Sequence, residues 1–419
     1  MLAHRPVFLF VMILAPVLCV VFFTSLMAEG LPTDMPAAVV DEDNTPTTRK
    51  LIRVLDAMEM ADVSRKYYTF SEAREAMQRG EIYAFFYIPR GTTAKAISSR
   101  QPRVSFYTND AYLLPGNLLM KELKTSSELI SLAIFREKLR AAGLPENEMM
   151  AWLQPIQIEA HPIGNPTLDY NVYLSNMVVP GILILLILLT TVYTIGYEWK
   201  QRTQRYLYAL AEQSQTVAII GKLLPQTAIY TLQFWLMDWW FFVHCGFPCH
   251  CGIGMMMLLG LLTVLASQGF GVLLFGIQAG MMRLALCICS LWGILSFSLA
   301  GFTYPVTDMH PALQALSVWF PLRHYYLSYV NIAYFDGTTR QILFHIAVLL
   351  LFLAPSYLGI AMINRRLGYE GVWRRLAEEG MGTAEDAETI EVSDTPPSVE
   401  MIAADTMDTT AETDNENSK

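Results

Sequence analysis

Five residues that can bind metal ions lie within eight positions of the chain: His244, Cys245, Cys249, His250 and Cys251. Thiolate and imidazole groups are the ligands that zinc and other soft metals prefer. The spacing matches none of the usual structural zinc patterns, and a single short loop rarely supplies four unstrained ligands. A disulfide from Cys245 to Cys249 or to Cys251, or an incidental cluster, accounts for the same residues. All three interpretations stay open, and no function is based on this loop.

Three further polar residues, Gln233, Asp238 and Gln268, lie inside long apolar stretches. An acidic residue within a membrane is by default a functional candidate. Three tryptophans surround Asp238 in the sequence, however, and tryptophan is enriched at the membrane–water interface. We therefore favour a headgroup position for Asp238, with a place on a transport pathway as the alternative. For the two glutamines we favour hydrogen bonds between helices over a role in lining a pathway.

The sequence contains no residue group typical of an enzyme. Gly221-Lys222 is followed by Leu223 and lacks the earlier glycine of a P-loop, so it does not form a nucleotide-binding motif. Residues 29–172 contain no Cys and a single His, His161. No catalytic residue is assigned, and the chain is not expected to be an enzyme.

The 419-residue chain is 53% hydrophobic and only 16% charged. Soluble domains usually carry about a quarter charged residues, so this composition is typical of a membrane protein. The net charge of −9 comes from residues 376–419, where 13 acidic residues and one basic residue lie, while the rest of the chain carries +3. This segment has few large apolar residues, which predicts a disordered acidic cytoplasmic tail. Nothing in the charge favours nucleic-acid binding.

Six segments are apolar over the roughly 20 residues that a transmembrane helix needs. They are residues 6–28, 173–197, 217–243, 253–276, 282–303 and 340–364. We interpret the first as a retained anchor, because its apolar part is longer than that of a typical signal peptide and its end is a poor cleavage site; a cleaved signal peptide is the alternative. Most basic residues of the short loops then lie on the same side as both termini, which predicts cytoplasmic termini.

Residues 29–172 are too many for an ordinary connection and alternate between strand and helix patterns. Strands are predicted at 37–40, 63–68, 82–88 and 104–108. Thr45-Pro46 is a typical helix start, Ser71 is expected to cap a second helix, and Gly80 to end it. The predicted fold is therefore an α-helical polytopic membrane protein with six transmembrane helices and an inserted α/β extracytoplasmic domain.

Two polar segments adjoin the spans. Residues 198–216 combine charged and aromatic residues, which indicates an amphipathic helix that is either an interfacial anchor or a docking lever. Within residues 304–339, the stretch 308–320 extends only about 20 Å as a helix and cannot cross a bilayer. With Asp308 as its cap and Pro321 as a break, it predicts a re-entrant pair of short helices, with surface-lying helices as the alternative.

Four stretches of sequence carry a family resemblance. They are AVVDEDNTP at 38–46, residues 73–89, YEWKQRT at 197–203 with GKLLP at 221–225, and GFTYPVTDMHP at 301–311 with WFPL at 319–322. The last is the most specific. Together they span nearly the whole chain except the acidic tail, and they resemble the type-2 permease family of ABC transporters, in the branch with a large extracytoplasmic domain.

The resemblance implies roles for particular residues. ATPase coupling falls on Glu198, Trp199, Lys200, Gln201, Arg202 and Thr203. The start of the gate helix falls on Gly221, Lys222 and Pro225. The outer re-entrant gate falls on Gly301, Tyr304, Pro305, Val306, Met309, Pro311, Pro321 and Leu322. Arg202 stands where the family usually has glycine, which predicts a coupling turn of different shape.

The resemblance also implies the architecture and function of a type-2 ABC exporter (type V) permease. Such a subunit works by alternating access in the bacterial cytoplasmic (inner) membrane and moves hydrophobic or amphiphilic compounds, including drugs, outward. The implied partners are an ABC ATPase subunit that binds ATP and Mg²⁺, a second permease copy or paralogue, and a periplasmic adaptor protein. No cofactor is expected on this chain. The alternative is a non-transporting receptor or secretion-system component whose outer domain binds a partner.

Overall fold

The chain divides into two compact units in the computed structural model. Residues 29–161 form one unit, and the segments on either side of them form the other. The structure describes residues 8, 10–98, 100, 103–141, 143, 145, 164–201, 203–212, 214–250, 252–278, 281–335 and 339–378. Most of the predicted acidic tail, which begins at residue 376, lies outside these residues.

The first helical segment is apolar and short. A π-helical turn at Phe10–Leu14 leads into helix α1, Ala15–Leu26, with Pro16 in its first turn, where a missing N–H costs nothing. Phe10–Leu26 is shorter than the other candidate spans. The predicted span 6–28 extends on its N-terminal side beyond the described residues.

The unit formed by residues 29–161 is built on a four-stranded sheet. In chain order its elements are β1 Met35–Asp41, α2 Pro46–Asp56, β2 Ala61–Tyr67, α3 Phe70–Gln78, β3 Ala84–Ile88, α4 Thr92–Ile97, β4 Ser105–Thr108 and α5 Leu113–Ala141. The strand order is β2-β1-β3-β4, with β1 parallel to both neighbours and β4 antiparallel to β3. The four strands overlap those predicted from the sequence.

Strand β1 is the centre of this unit because it is buried on both faces. Ala37 and Val39 pack in the cluster that includes residues of α2, whereas Ala38 and Val40 pack in the cluster with residues of α3. A strand covered on both sides needs an uninterrupted apolar run rather than an alternating one. The run AAVV is therefore explained by the position of β1 between two layers of helix.

The helix starts of this unit follow from local hydrogen bonds. Thr45 caps α2 as predicted: its hydroxyl accepts from the backbone N–H of Thr48 at 3.2 Å, and the Thr48 hydroxyl accepts from the N–H of Thr45 at 2.9 Å. Gly80, with φ of +74°, follows the end of α3 as expected. The cap predicted at Ser71 is wrong, because Thr69 accepts from the N–H of Glu72 and starts the helix earlier.

Asp43 connects the two loops that follow the parallel strands β1 and β3. Its carboxylate accepts from the N–H of Gly91 at 2.7 Å and from the N–H of Thr93 at 2.9 Å. Hydrogen bonds from Thr93, and then from Gly91, hold the pKa of Asp43 below its ordinary value. The carboxylate therefore contributes most to stability when it is ionised.

Helices make up nearly all of the described part of the second unit. After α1 they are α6 Tyr170–Lys200, α7 Gln204–Leu210, α8 Gln215–Trp239, α9 Ile253–Ile277, α10 Met282–Leu299, α11 Pro311–Ser317, α12 Pro321–Ala333, α13 Thr339–Leu351 and α14 Ala354–Glu378. A π-helical turn, Trp240–His244, extends α8, and a 3-10 turn, Val306–Asp308, precedes α11. The largest hydrophobic core lies among these helices.

Four helical stretches are long and apolar enough to cross a membrane. They are Tyr170–Lys200, Ile253–Ile277, Met282–Leu299 and Ile342–Arg366. Helix α8, predicted as the span 217–243, is not one of the four, and it carries Lys222, Gln233 and Asp238 among its apolar residues. The number of membrane crossings therefore stays a prediction.

Three predicted elements differ from the structure. The span 340–364 is interrupted between Leu351 and Ala354, just before Pro355, which has no N–H for a continuous helix. Residues 198–216 do not form one helix, since they contain the last turn of α6, the short helix α7 and the start of α8. The cap predicted at Asp308 is also wrong: the side chain of His310 accepts from the N–H of Ala312 at 3.3 Å and starts α11.

We predict that Asp43→Ala loosens the loops after β1 and β3, because two backbone N–H groups lose their acceptor. Amide hydrogen exchange of the full-length protein near neutral pH should become several-fold faster in peptides from residues 84–98, while the exposed control Asp56→Ala should leave it unchanged. Since the folded pKa is lowered, the contribution of Asp43 is present above the unfolded pKa of about 3.9 and is lost as the pH falls through the folded value. Equal exchange in both variants would contradict this assignment.

Candidate functional site

A buried carboxylate, Glu198, lies at the end of α6 and joins three segments of the chain. Its Oε1 accepts from the Nζ of Lys222, in the second turn of α8, and its Oε2 accepts from the hydroxyl of Thr203. The side chains of Glu198 and Lys222 are only 7% and 14% exposed. Because both side chains are buried, solvent screens the ion pair little. The two oxygens of this one carboxylate thus bind two groups that follow it in the chain. We call Glu198, Thr203 and Lys222 the Glu198 junction.

The turn after α6 is closed by backbone hydrogen bonds at the same point. The N–H of Thr203 donates to the carbonyl of Glu198 at 3.1 Å, and the N–H of Gln201 donates to the carbonyl of Tyr197 at 3.0 Å. The carbonyl of Thr203 then accepts from the N–H of Leu207 and starts α7. Thr203 therefore ends one helix with its N–H and side chain and begins the next with its carbonyl.

Two further polar pairs continue the contact between α6 and α8. Thr194 accepts from the side-chain amide of Gln226, and the hydroxyls of Thr190 and Tyr230 lie 3.1 Å apart. Each pair lies four residues before the previous one on α6 and four residues after it on α8. Because residues four apart share one face of a helix, the three pairs form a single row between antiparallel helices. We call Glu198–Lys222, Thr194–Gln226 and Thr190–Tyr230 the polar row.

The glutamines in this region are buried, as a role between helices requires. The hydroxyl of Thr227 on α8 donates to Oε1 of Gln268 on α9 at 2.7 Å, and Gln233 is also buried. Within the described residues, Oε1 of Gln226 and Nε2 of Gln268 have no hydrogen-bond partner. Gln268 thus extends the polar contacts of α8 to a third helix.

The remaining residues of the predicted coupling group have separate surroundings. Trp199 packs edge-on against Phe275 with ring centroids 6.3 Å apart, and the side-chain amide of Gln201 donates to the hydroxyl of Tyr197 at 2.8 Å. Lys200 is exposed, and Arg202 lies outside the described residues. Of the predicted group, only Glu198 and Thr203 therefore belong to the Glu198 junction among the described residues.

Gly221 and Pro225 lie in α8 on either side of the first polar pair. Pro225 has no N–H to donate to the carbonyl of Gly221, four residues earlier, so α8 lacks one hydrogen bond at this point. A Cβ added at Gly221 would meet no atom within 4 Å, so its glycine is not required by local packing. The missing hydrogen bond of α8 therefore lies next to Lys222.

In the predicted outer segment, two side chains pack closely against the backbone of Gly301. The φ of Gly301 is +91°, and a Cβ there would lie 3.0 Å from the Cγ2 of Val306 and 3.1 Å from Nη1 of Arg323. The side chain of Gln314 holds the same loop by donating to the carbonyls of Thr307 and Met309, at 3.0 Å and 2.9 Å. Glycine is therefore the residue that this turn accepts without strain.

The other residues of the predicted outer gate fall into two groups. Pro311 and Pro321 are the first residues of α11 and α12, where proline is well tolerated. Within the segment, Leu322 is buried, Val306 and Met309 are half-buried, and Tyr304 and Pro305 are exposed. These residues lie in one segment that runs from the end of α10 into the first turn of α12. In the described chain none of them forms a hydrogen bond with the Glu198 junction.

A sequence profile described as ABC-2 family transporter protein matches residues 6–361. The chain belongs to the ABC-2 transporter family. No curated protein matches the chain significantly. The matched range contains the Glu198 junction, the polar row and the segment around Gly301.

Family membership gives this ABC-2 protein a coarse role. The protein is a membrane component of an ABC transporter and is not catalytic itself. Membership of the family implies an ABC ATPase as its partner. The resemblance stated from the sequence is therefore confirmed at the level of the family.

The loop with the five potential ligands does not assemble a metal site in the described part of the ABC-2 protein. No group of three or more His, Cys, Asp or Glu side chains there is placed to hold a metal ion. Cys245 is a free thiol, and the ring of His244 packs against Trp240 at a tilt of 37°, with centroids 4.2 Å apart. The backbone N–H of His250 donates to the carbonyl of Ala333, and Cys251 lies outside the described residues. A Cys245–Cys249 disulfide is therefore not formed in this structure.

Asp238 is buried inside the protein. Its side chain is 2% exposed, although the neighbouring Trp235 and Trp239 are 37% and 52% exposed. These two tryptophans face outward, while Asp238 occupies the inward face of the same helix. The depth of Asp238 in the membrane, at the headgroups or on a transport pathway, stays a prediction.

We predict that Lys222→Met destabilises the ABC-2 protein because it leaves the buried Glu198 carboxylate without its cation. Breaking a buried ion pair in this way costs about 3–5 kcal/mol in the free energy of unfolding. The double variant Glu198→Gln/Lys222→Met should recover much of that loss, because no isolated charge remains buried.

Thermal unfolding of the detergent-purified protein, followed by tryptophan fluorescence, measures both effects. The exposed lysine next to the site provides the control, since Lys200→Met should change stability by no more than about 0.5 kcal/mol. A Lys222→Met protein as stable as Lys200→Met would exclude a buried ion pair at this point.

Proposed function

We propose that this chain is the permease subunit of an ATP-driven exporter and that the Glu198 junction transmits the movement of its ATPase partner. One observation carries the proposal: a single buried carboxylate holds the end of α6, the turn at Thr203 and the start of α8. A force on the turn therefore reaches both long helices at once. Side chains that only anchored the turn at a membrane surface would have no need for a buried ion pair.

The polar row explains how such a force would travel along the helices. Thr194–Gln226 and Thr190–Tyr230 keep α6 and α8 in register above the ion pair. Polar contacts between helices in an apolar environment average roughly 0.6 kcal/mol each, enough to favour one register without locking it. We infer that α6 and α8 move as a pair when the ATPase closes on ATP and Mg²⁺.

The segment from residue 304 to residue 339 is proposed as the outer gate. The tight turn at Gly301 and the proline-initiated helices α11 and α12 give it a defined shape although neither helix can cross a bilayer. We propose alternating access between two permease copies, or a copy and a paralogue. In this arrangement the gate opens outward and hydrophobic or amphiphilic compounds leave the membrane.

The proposal also includes a membrane topology for the protein. We propose a multi-pass protein of the bacterial inner membrane with six spans and both termini in the cytoplasm. The α/β unit then lies outside, where a periplasmic adaptor protein can bind it. The charge bias of the short loops supports this orientation, since Lys200, Arg202, Arg205 and Arg283 fall on the predicted cytoplasmic side.

We expect an ABC ATPase subunit to co-purify with the tagged full-length protein after mild solubilisation. Mass spectrometry of the eluate, compared with the eluate of an unrelated tagged membrane protein, identifies it. Repeated failure to recover any ATPase would favour the alternative, in which the protein is a receptor or secretion-system component and nothing is transported.

We expect Glu198→Ala to uncouple ATP hydrolysis from transport, because Thr203 and Lys222 lose their common acceptor. In proteoliposomes that contain the ATPase, hydrolysis should continue while export of a fluorescent amphiphile falls at least tenfold. Glu75→Ala, which removes an exposed acid of α3, provides the matched control with normal export. Unchanged export by Glu198→Ala would show that the Glu198 junction is not the coupling element.

A further inference from the structure

Asp238 is a buried carboxyl group on α8, and unlike Glu198 on α6 it has no basic partner in the described chain. Its Oδ2 is fully buried and has no hydrogen-bond donor among the described residues. No cationic side chain in the described chain offsets its charge, and burial removes the carboxyl group from water. Glu198 is neutralised by Lys222, so Asp238 needs a different source of positive charge.

Helix α12 provides the groups that face Asp238. Tyr325 and Tyr329 lie one turn apart on α12, are fully buried, and are close enough to Asp238 for an electrostatic interaction. The ring of Tyr325 contacts Phe234 of α8 with centroids 5.9 Å apart, so α8 and α12 meet at this point. Two phenols and an aromatic ring are neutral, and they cannot balance an ionised carboxylate.

The charged and titratable groups on α12, α9 and α8 do not offset the charge of Asp238. On α12, Nη1 of Arg323 donates to the carbonyl of Ala300 at 3.3 Å, and Nε2 of His324 lies 2.9 Å from the carbonyl of Val318. Helix α9, which also packs on α8, contains no Asp, Glu, Lys, Arg, His, Cys or Tyr at all. The nearest cation on α8 itself, Lys222, lies more than four turns away and binds Glu198.

A line of polar groups leads from Asp238 toward α6. The rings of Tyr329 and Tyr334 lie 5.8 Å apart, and the hydroxyl of Tyr334 accepts from the amide of Asn176 on α6 at 2.9 Å. Oδ1 of Asn176 is, like Oδ2 of Asp238, buried without a partner in the described chain. Two buried oxygens, one at each end of this line, therefore lack a donor in the described chain, and of the two only the carboxyl group of Asp238 can bind a proton.

We propose that Asp238 is a proton-binding site that is occupied while α8 and α12 are packed together and empties when they separate. An unpaired carboxylate removed from water is far less stable than a neutral carboxylic acid. When the contact opens, water reaches the group, the O–H bond breaks, and the proton passes to water while the carboxylate stays on Asp238. This rests on the proposed function, because α12 belongs to the proposed outer gate.

Infrared difference spectroscopy of the full-length permease in nanodiscs tests, without any ATPase, whether Asp238 carries a proton while α8 and α12 are packed together. The wild-type protein near neutral pH should show the C=O stretching band of a protonated carboxylic acid, and Asp238→Asn should abolish it. Asp308→Asn, which changes an exposed acid of the outer segment, should retain the band. If Asp238→Asn does not fold, ¹³C-labelled aspartate shifts an Asp band in the wild-type protein and leaves a Glu band in place. Absence of an Asp band overturns the proposal.

Release of the proton when α8 and α12 separate is tested in the complex with the ATPase. The Asp band should be lost or strongly reduced when the complex is trapped with a non-hydrolysable ATP analogue, because the proposed gate is then open. A band of equal intensity in the nucleotide-free and trapped complexes overturns proton release on opening. This outcome is distinct from failure of the proposed function, which shows itself as absence of an ATPase partner.

Discussion

The ion pair between Glu198 and Lys222 is the interaction on which the arrangement of the helices depends. Both charges are removed from water, so neither can be tolerated without the other, and the residues between them must bring α8 back alongside α6. Thr203 uses the second oxygen of the same carboxylate, which leaves little freedom for the turn. The ion pair therefore constrains the register of α6 and α8, together with the other two pairs of the polar row.

A large part of the fold was predictable because it depends on local chemistry. The long apolar stretches predicted α6, α9 and α10, and Thr45-Pro46 predicted the start of α2. The errors lie where two neighbouring residues offer similar chemistry. Thr69 and Ser71 are both good caps, and sequence alone does not decide between them. The interruption before α14 was also missed, although a proline in an apolar run is a signal for it.

The sequence predicts which residues belong to the candidate site, but it does not predict how they contact one another. Glu198, Thr203 and Lys222 appeared in two separate groups, and their contact depends on the length of the turn between two antiparallel helices. The four-residue spacing of the polar row is visible in the sequence once the first pair is known, since each later pair has the same sum of residue numbers. For Asp238 the burial depends on which face of α8 points inward, and the tryptophans next to it in the sequence do not indicate that face.

The equal spacing of the polar row has a consequence for any slip of α8 along α6. A translation of α8 by four residues, about 6 Å, would bring Gln226 opposite Glu198 and Tyr230 opposite Thr194. Gln226 and Tyr230 would each exchange one polar neighbour for another, but Lys222 would leave Glu198, and both charges would be buried without each other. The ion pair therefore opposes a slip that the two neutral pairs alone would tolerate.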